Sequence, residues 1–409
     1  MGNQKNPEEG YEGGKAVMSC PPIRIPFGPQ HPALKEPEYF MFEVDGEYVV
    51  DVKPRIGYVH RGIEKALEDR TFIQNLYLVE RICGICSHAH TTCYTQAIEE
   101  NLGAEIPSRA RFIRTIVAEL ERIHNHYLWL GLAAHEIGFD TLFMYTWRDR
   151  EIVMDLLELV SGNRVHYAMN TIGGVRRDII PETAEKIKKG LDALEERMKY
   201  YKKIAMTEPT ISKRAVGIGI LKPKDALALC AVGPTLRASG IKHDVRADDP
   251  YIAYDEIPFN VITYDGCDVI SRLFVRCDET LESVSIIRYA LDHLPTGMIR
   301  VKVPRRVPEG EAVSRVEAPR GELIHYAKTN GTTKPERYKI RSPTLGNIPS
   351  LCKMLVGGYI ADIPIVIAGI DPCFSCTDRM AFVNVNDDKQ RVWSGEELRR
   401  YAIKWYRKE

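Results

Sequence analysis

The chain has 409 residues, and its 56 basic side chains balance 56 acidic ones to a formal net charge of zero. That balance gives no electrostatic argument for nucleic acid or for an anionic membrane surface, so no nucleic-acid partner is expected. At 44% hydrophobic and 27% charged residues, the composition is that of an ordinary globular protein, long enough for one large domain.

Residues 1–19 are rich in Gly, Glu, Lys and Asn and predict a flexible segment. No apolar run follows a basic start there, so no secretion signal is expected. Three prolines within residues 25–32 (IPFGPQHP) predict a rigid loop. Residues 39–52 alternate apolar and polar about Asp45-Gly46, which predicts a β-hairpin with Phe40, Phe42 and Val44 on one face. From Ile63 onward the spacing turns helical. Ser108 is placed to cap a helix through Phe112, Ile116, Leu120, Ile123 and Tyr127. A second helix is predicted over 146–160, stopping near Ser161-Gly162-Asn163, and a third over 181–204. Three such helices in succession predict a helical bundle as the body.

Residues 250–345 read as less regular, with turns at Asp265-Gly266, 308–310 and Asn330-Gly331 and short strands at 299–303 and 337–340. The least polar stretch, 345–370, is interrupted by Pro349, Lys353, Asp362 and Pro364. That pattern predicts buried core, not a membrane span. Its last part, 363–370, would deliver Cys373 into the interior. A short strand and a helix from Ser394 are expected to close the chain. The fold class expected is α+β, mainly a helical bundle with small peripheral β-sheets.

Two Cys-x-x-Cys pairs lie at opposite ends of the chain, as Glu80-Arg-Ile-Cys83-Gly-Ile-Cys86-Ser-His88 and Asp371-Pro-Cys373-Phe-Ser-Cys376-Thr-Asp-Arg379. Four thiolates in two close pairs can hold a soft or borderline metal centre, and the fold itself must close it. Spacing alone leaves structural zinc, an iron–sulfur cluster, another metal and no metal at all open. A thioredoxin-type redox pair would need a βαβ setting, which is missing. The other six cysteines, Cys20, Cys93, Cys230, Cys267, Cys277 and Cys352, show no pairing pattern and read as small buried apolar residues.

The segments ERICGICSHAH (80–90) and IDPCFSCTDRM (370–380) resemble the large subunit of nickel–iron hydrogenases, in the energy-converting, complex-I-related group. Between them SGNRVHYAMNTIGGVRRD (161–178), AVGPTLRASG (231–240) and EAPRGELIHY (317–326) fit the same group. IPFGPQHPA (25–33) looks like the opening segment of these subunits and of their complex I relatives. The resemblance runs from about residue 22 to the C-terminus.

The resemblance implies that Cys83, Cys86, Cys373 and Cys376 bind nickel. Cys86 and Cys376 would bridge to an iron carrying CO and CN ligands, leaving Cys83 and Cys373 terminal. Cys373 is then a candidate base for the proton of heterolytic H–H cleavage, and Glu36 matches the family's glutamate beside the nickel. Arg320 matches the arginine over the iron's ligands, where Ser342 and Thr344 are further candidate donors. Glu80 and Asp371 are weaker candidates, because sequence neighbours of a ligand need not face it. His88 and His90 are read as lining a path to a neighbouring cluster or as hydrogen-bonding a helix end. His31, His124 and His126 are read as structural or interface residues.

The resemblance further implies iron–sulfur clusters in a separate small subunit, membrane ion-pumping subunits, and ferredoxin or a formate or CO dehydrogenase module as electron source. The chain would sit on the cytoplasmic face of the cell membrane through those partners. The expected division is a segment 1–19, one domain over 20–379, and a 30-residue extension, 380–409. The extension resembles one that a maturation endopeptidase removes, with cleavage after Arg379. Two rival readings remain: a nickel-free complex-I-like or sulfur-reducing paralogue, and a structural zinc protein.

Overall fold

Alternating apolar side chains build the first layer. The computed structural model describes residues 23–377 and 395–407. Strands β1 (Ile23–Phe27), β2 (Tyr39–Asp45) and β3 (Tyr48–Arg55) form an antiparallel sheet in that order. Phe40, Phe42 and Val44 share its buried face, as the alternation requires. The expected rigid loop at 25–32 is a correction: its first three residues belong to β1, where Pro26 is tolerated because the strand lies at the sheet edge.

Helices α1 (Ile63–Glu68), α2 (Phe72–Glu80) and α3 (Ser87–Leu102) follow. Thr71 and Gln74 cap α2 reciprocally. The body is α4 (Ser108–Ile137) packed on α5 (Asp140–Ser161), which the short hairpin β4 (Asn170–Thr171) and β5 (Gly174–Val175) links to α6 (Pro181–Thr207). Ser108 is not the cap expected of it. Pro107 holds the cap position with extended backbone, and Ser108 is the first helical residue. The second helix begins at Asp140, a turn and a half before the expected start.

Four short helices, α7 (Pro209–Ala215), α8 (Pro223–Ala228), α9 (Pro234–Arg237) and α10 (Val245–Asp248), lead to α11 (Val269–Asp292). The expectation of irregular structure over 250–345 therefore fails. α11 buries residues all round, among them Arg272, Arg276 and Glu279, so it lacks the apolar stripe by which a helix is recognised. Strands β6 (Gly310–Ala318), β7 (Gly321–Thr329) and β8 (Pro335–Arg341) form a second antiparallel sheet. The strand expected at 337–340 lies in β8. The one expected at 299–303 is only a bridge between Arg300 and Gly174.

Two further helices, α12 (Pro343–Leu355) and α13 (Ile363–Gly369), carry the apolar stretch to the second cysteine pair. Helix α14 (Gly395–Tyr406) confirms the one expected from Ser394. Residues 1–19, Cys20 and the strand expected after Arg379 lie outside the described residues. No helix among those described is long and apolar enough to cross a membrane.

Three apolar clusters meet at the end of the chain. One joins α4, α5, α6 and α11; a second joins α1–α3 to the sheet β6–β8; a third joins β1–β3 to α12 and α13. All four paired cysteines lie in the second cluster, while Phe374, inside the last pair, packs in the third. The junction between clusters is thus where the two ends of the chain close. Of the remaining described cysteines, Cys93 and Cys277 are buried as expected, Cys267 and Cys352 are half-buried, and Cys230 is exposed against expectation.

Candidate metal centre

The two Cys-x-x-Cys loops converge. Cys373 Sγ lies 3.2 Å from Cys83 Sγ and 3.1 Å from Cys376 Sγ, and Cys86 Sγ is 3.8 Å from Cys376 Sγ. The thiol sulfurs of Cys83, Cys86 and Cys376 all fall within 4.8 Å of one another. None is in a disulfide, and all four are buried. Sulfurs bound about 2.3 Å from one metal ion stand roughly 3.3–3.8 Å apart at tetrahedral or square angles. The donor chemistry, the three mutually close sulfurs and the contacts of Cys373 with two of them fit a thiolate-held metal.

The thiols do not share charge equally. Hydrogen bonds from Cys373, Cys376 and Cys86 hold Cys83 well below the ordinary thiol range. Its bond with Cys373, followed by Cys83, Cys86 and burial, holds Cys376 well above it. A bound cation would deprotonate all four.

Both loops are clamped. Arg61 donates to the carbonyls of Arg81 (2.9 Å), Ile82 (2.7 Å) and Ser375 (3.1 Å), tying one loop to the other. Cys86 stands at the N-terminus of α3 and makes no capping bond of its own. Glu121 of α4 caps that helix instead, accepting from His88 N (2.6 Å) and Ala89 N (2.9 Å). Burial, opposed by those two bonds, raises the Glu121 carboxyl to about 8.

The other cysteine loop is held from α12 and from the β6–β7 turn. Thr344 Oγ1 accepts from Cys373 N at 3.0 Å. Arg320 sits in the two-residue turn between Ala318 and Gly321. Its Nε donates to Asp371 O (2.8 Å) and its Nη2 pairs with Asp371 Oδ1 at 3.1 Å. A β-carbon on Gly321 (φ +127°) would meet Gly233 at 2.8–2.9 Å, so only glycine lets this turn press inward. Asn125 Nδ2 fixes the other Asp371 oxygen at 2.7 Å. Arg320 Nη1 is buried with no hydrogen-bond partner among the described residues.

A cavity of about 320 Å³ opens on this group, lined by Glu36, Ile85, Trp129, Arg320, Cys373 and Phe374 among others. Glu36 accepts from Ser375 N at 2.8 Å and from the Ser375 hydroxyl. A loop carboxylate from the N-terminal region is thereby held against the last cysteine loop. Two residues on, Glu38 is fully buried, and burial first, then Glu36, outweighs its bond from Tyr39 N and raises its pKa from 4.5 to about 7. Between those values the folded chain keeps a proton that the unfolded chain has released, so stability falls as pH rises through that window. Glu38→Gln is expected to flatten this fall, read as melting temperature from pH 4.5 to 8.

The sequence candidates divide. Cys83, Cys86, Cys373, Cys376, Glu36, Arg320, Asp371 and Thr344 are brought together. Ser342 is a buried cap, accepting from Leu345 N at 3.3 Å. Glu80 is drawn away: it accepts from Ala168 N and lines a separate cavity with Asn170 and Arg176. His31 stacks on Phe27 at 3.7 Å between ring centroids, a structural role. His126 pairs with Glu279 at 3.0 Å in the interior, and His124 bonds Arg150. His88 Nε2 meets Arg114 O at 3.0 Å, whereas His90 Nε2 lies 3.5 Å from Cys376 Sγ. Sequence reasoning missed Arg61, Glu121, Asn125, His325 and Tyr338, whose only signal is their position in three dimensions.

Residues 136–306 and 303–379 match the family described as respiratory-chain NADH dehydrogenase, 49 Kd subunit. Residues 61–133 match the nickel-dependent hydrogenase family. The chain is 42% identical over 404 residues to the membrane-bound hydrogenase subunit alpha of Pyrococcus furiosus, covering 93% of this chain and 92% of that one. It is 41% identical over 380 residues to formate hydrogenlyase subunit 5 of Escherichia coli, covering 93% of this chain and 67% of that one. Among solved structures it matches the membrane-bound sulfane sulfur reductase, an archaeal respiratory membrane complex, with a TM-score of 0.83. That match is 33% identical and covers 88% of this chain and 99% of the other.

Proposed function

The chain belongs to the complex-I-related nickel–iron hydrogenase large-subunit family, and from that premise we propose that it is the catalytic subunit of a hydrogen-evolving complex. The reaction is the reversible reduction of protons to H2. What carries this reading is the closure of four buried, unbridged thiols beside a cavity that Glu36 and Arg320 also line.

Cys83, Cys86, Cys373 and Cys376 would hold a nickel–iron pair. Bound there, the metals supply a redox-active Lewis-acid pair that polarises H–H. The chain's own residues do the rest. Cys373 Sγ, at the cavity wall, accepts the proton of heterolytic cleavage. Glu36, fixed on Ser375 of the same loop, passes that proton outward. The unpartnered Arg320 Nη1 would be free to donate to an acceptor carried by the metals. Thr344 and Ser342 support the loop from below. The cavity's apolar wall keeps bulk water from the thiolates.

Electrons would enter through iron–sulfur clusters of a small partner subunit, supplied by ferredoxin or a formate or CO dehydrogenase module. Membrane subunits would couple the reaction to ion translocation and hold this chain at the cytoplasmic face of the membrane. A maturation endopeptidase would remove 380–409 from the domain 20–379.

A second reading, a nickel-free or sulfur-reducing subunit, is favoured by the match to the sulfane sulfur reductase. Metal analysis and intact mass of the natively purified complex separate the two. The hydrogenase reading expects close to one nickel per chain, an end at Arg379 and hydrogen evolution. Absent nickel, an intact Glu409 and no hydrogen evolution after exposure to the maturation machinery would overturn it.

A further inference from the structure

A file of buried polar groups leads away from Cys376 into the second sheet. His90 Nε2 lies 3.5 Å from Cys376 Sγ. His90 Nδ1 lies 3.1 Å from His325 Nε2, and His325 Nδ1 lies 2.8 Å from the Tyr338 hydroxyl. All three side chains are fully buried. Neither imidazole has another hydrogen-bond partner among the described residues. The β7–β8 register sets His325 opposite Ile340, so Tyr338 is its diagonal neighbour on one face of the sheet.

Hydrogen-bond polarity then follows from one end. A metal-bound thiolate is an acceptor only, so His90 must present Nε2–H to Cys376. A neutral imidazole carries one N–H, so His90 Nδ1 is left as an acceptor. Its one neighbouring donor is His325 Nε2–H, which leaves His325 Nδ1 as an acceptor in turn. The Tyr338 hydroxyl supplies that last proton. The opposite polarity would set the Nε2 lone pair of His90 against the sulfur, which is repulsive. All three side chains are shut away from solvent, which favours neutral rings throughout.

We infer that Tyr338 and His325 are positioning residues that lock His90 in the tautomer donating to Cys376. The inference rests on the proposed reading of Cys376 as a metal-bound thiolate. An N–H donated to sulfur withdraws electron density from it, so the hydroxyl of Tyr338 acts on the centre's reduction potential through two imidazoles. Partners that orient the groups around a metal site are worth about 10–100-fold in activity, and Tyr338, two rings removed, belongs at the lower end.

The test compares wild type, Tyr338→Phe, His90→Phe and the double variant as natively purified complexes. Nickel content, the nickel electron-spin-resonance signature, midpoint potential and hydrogen turnover are read for each. Tyr338→Phe keeps the ring and is expected to retain nickel, lower the midpoint potential and cut turnover about tenfold. His90→Phe shifts the potential further in the same direction, and adding Tyr338→Phe to it changes nothing more. An unshifted potential in Tyr338→Phe, or the same shift with and without His90, overturns the inference while leaving the hydrogenase reading intact. A nickel-free wild type overturns both. Should Tyr338→Phe fail to assemble, His325→Phe, which removes the donor to His90 Nδ1, takes its place under the same criteria.

Discussion

Cys376→Ser is expected to abolish both nickel retention and hydrogen turnover, while Cys267→Ser leaves both near wild type. Cys376 Sγ stands 3.1 Å from Cys373 Sγ and 3.8 Å from Cys86 Sγ, so it links the two loops at the sulfur level. A hydroxyl is a hard donor that stays protonated where a thiol ionises, and three remaining sulfurs cannot complete a soft four-thiolate set. The loop itself should persist. Arg61 still bonds Ser375 O, and Glu36 still bonds Ser375 N, neither of which involves the sulfur. The loss is therefore one of metal, not of fold. Cys267 is the matched control: it is half-buried, and its thiol donates to Asp265 O at 3.2 Å, a bond serine reproduces. Metal content and hydrogen evolution of the two purified variants decide the matter. Full turnover in Cys376→Ser would sink the four-thiolate assignment.

The parts of the fold that were legible are those governed by local pattern. The 39–52 hairpin announced itself because every second residue meets the core, and α4 because its apolar residues recur each turn. α11 was invisible for a physical reason. It buries Arg272, Arg276, Glu279 and Ser283, which bond to the carbonyls of Gly219, Cys267 and Gly369 and to groups on α9 and α4, so no apolar stripe remains in the sequence. The site followed the same divide. Thiols at x-x spacing point to a candidate metal site, and Arg320 was marked by the tight Pro-Arg-Gly turn. Glu121 and Arg61 were not readable, since a carboxylate on a long helix and an arginine after a loop look like solvated charges. Only tertiary closure turns the first into the cap of α3 and the second into the clamp between cysteine loops. Glu80 shows the converse: it lies close to Cys83 in sequence, yet its side chain turns to Ala168 N.

Glu36→Gln is the second large effect expected, and it separates proton transfer from metal binding. The carboxylate accepts from Ser375 N at 2.8 Å, and an amide oxygen can accept the same bond. The loop and the four sulfurs should therefore keep their places, with nickel content and the resting spectroscopic signature close to wild type. An amide carries no transferable proton at neutral pH, however. If Glu36 takes the proton from Cys373, its loss removes a general acid–base step worth about 10²–10⁴-fold. Hydrogen evolution and H2/D2O exchange should fall together by that range, because exchange needs the same proton path but no external electron donor. Glu36→Asp should recover part of the rate, since the group still titrates but reaches less far. Nickel loss in Glu36→Gln would instead make Glu36 an anchor of the Ser375 loop. Undiminished exchange would send the proton out by another route, and Glu38, fully buried two residues away with its carboxyl raised to about 7, is the group to replace next.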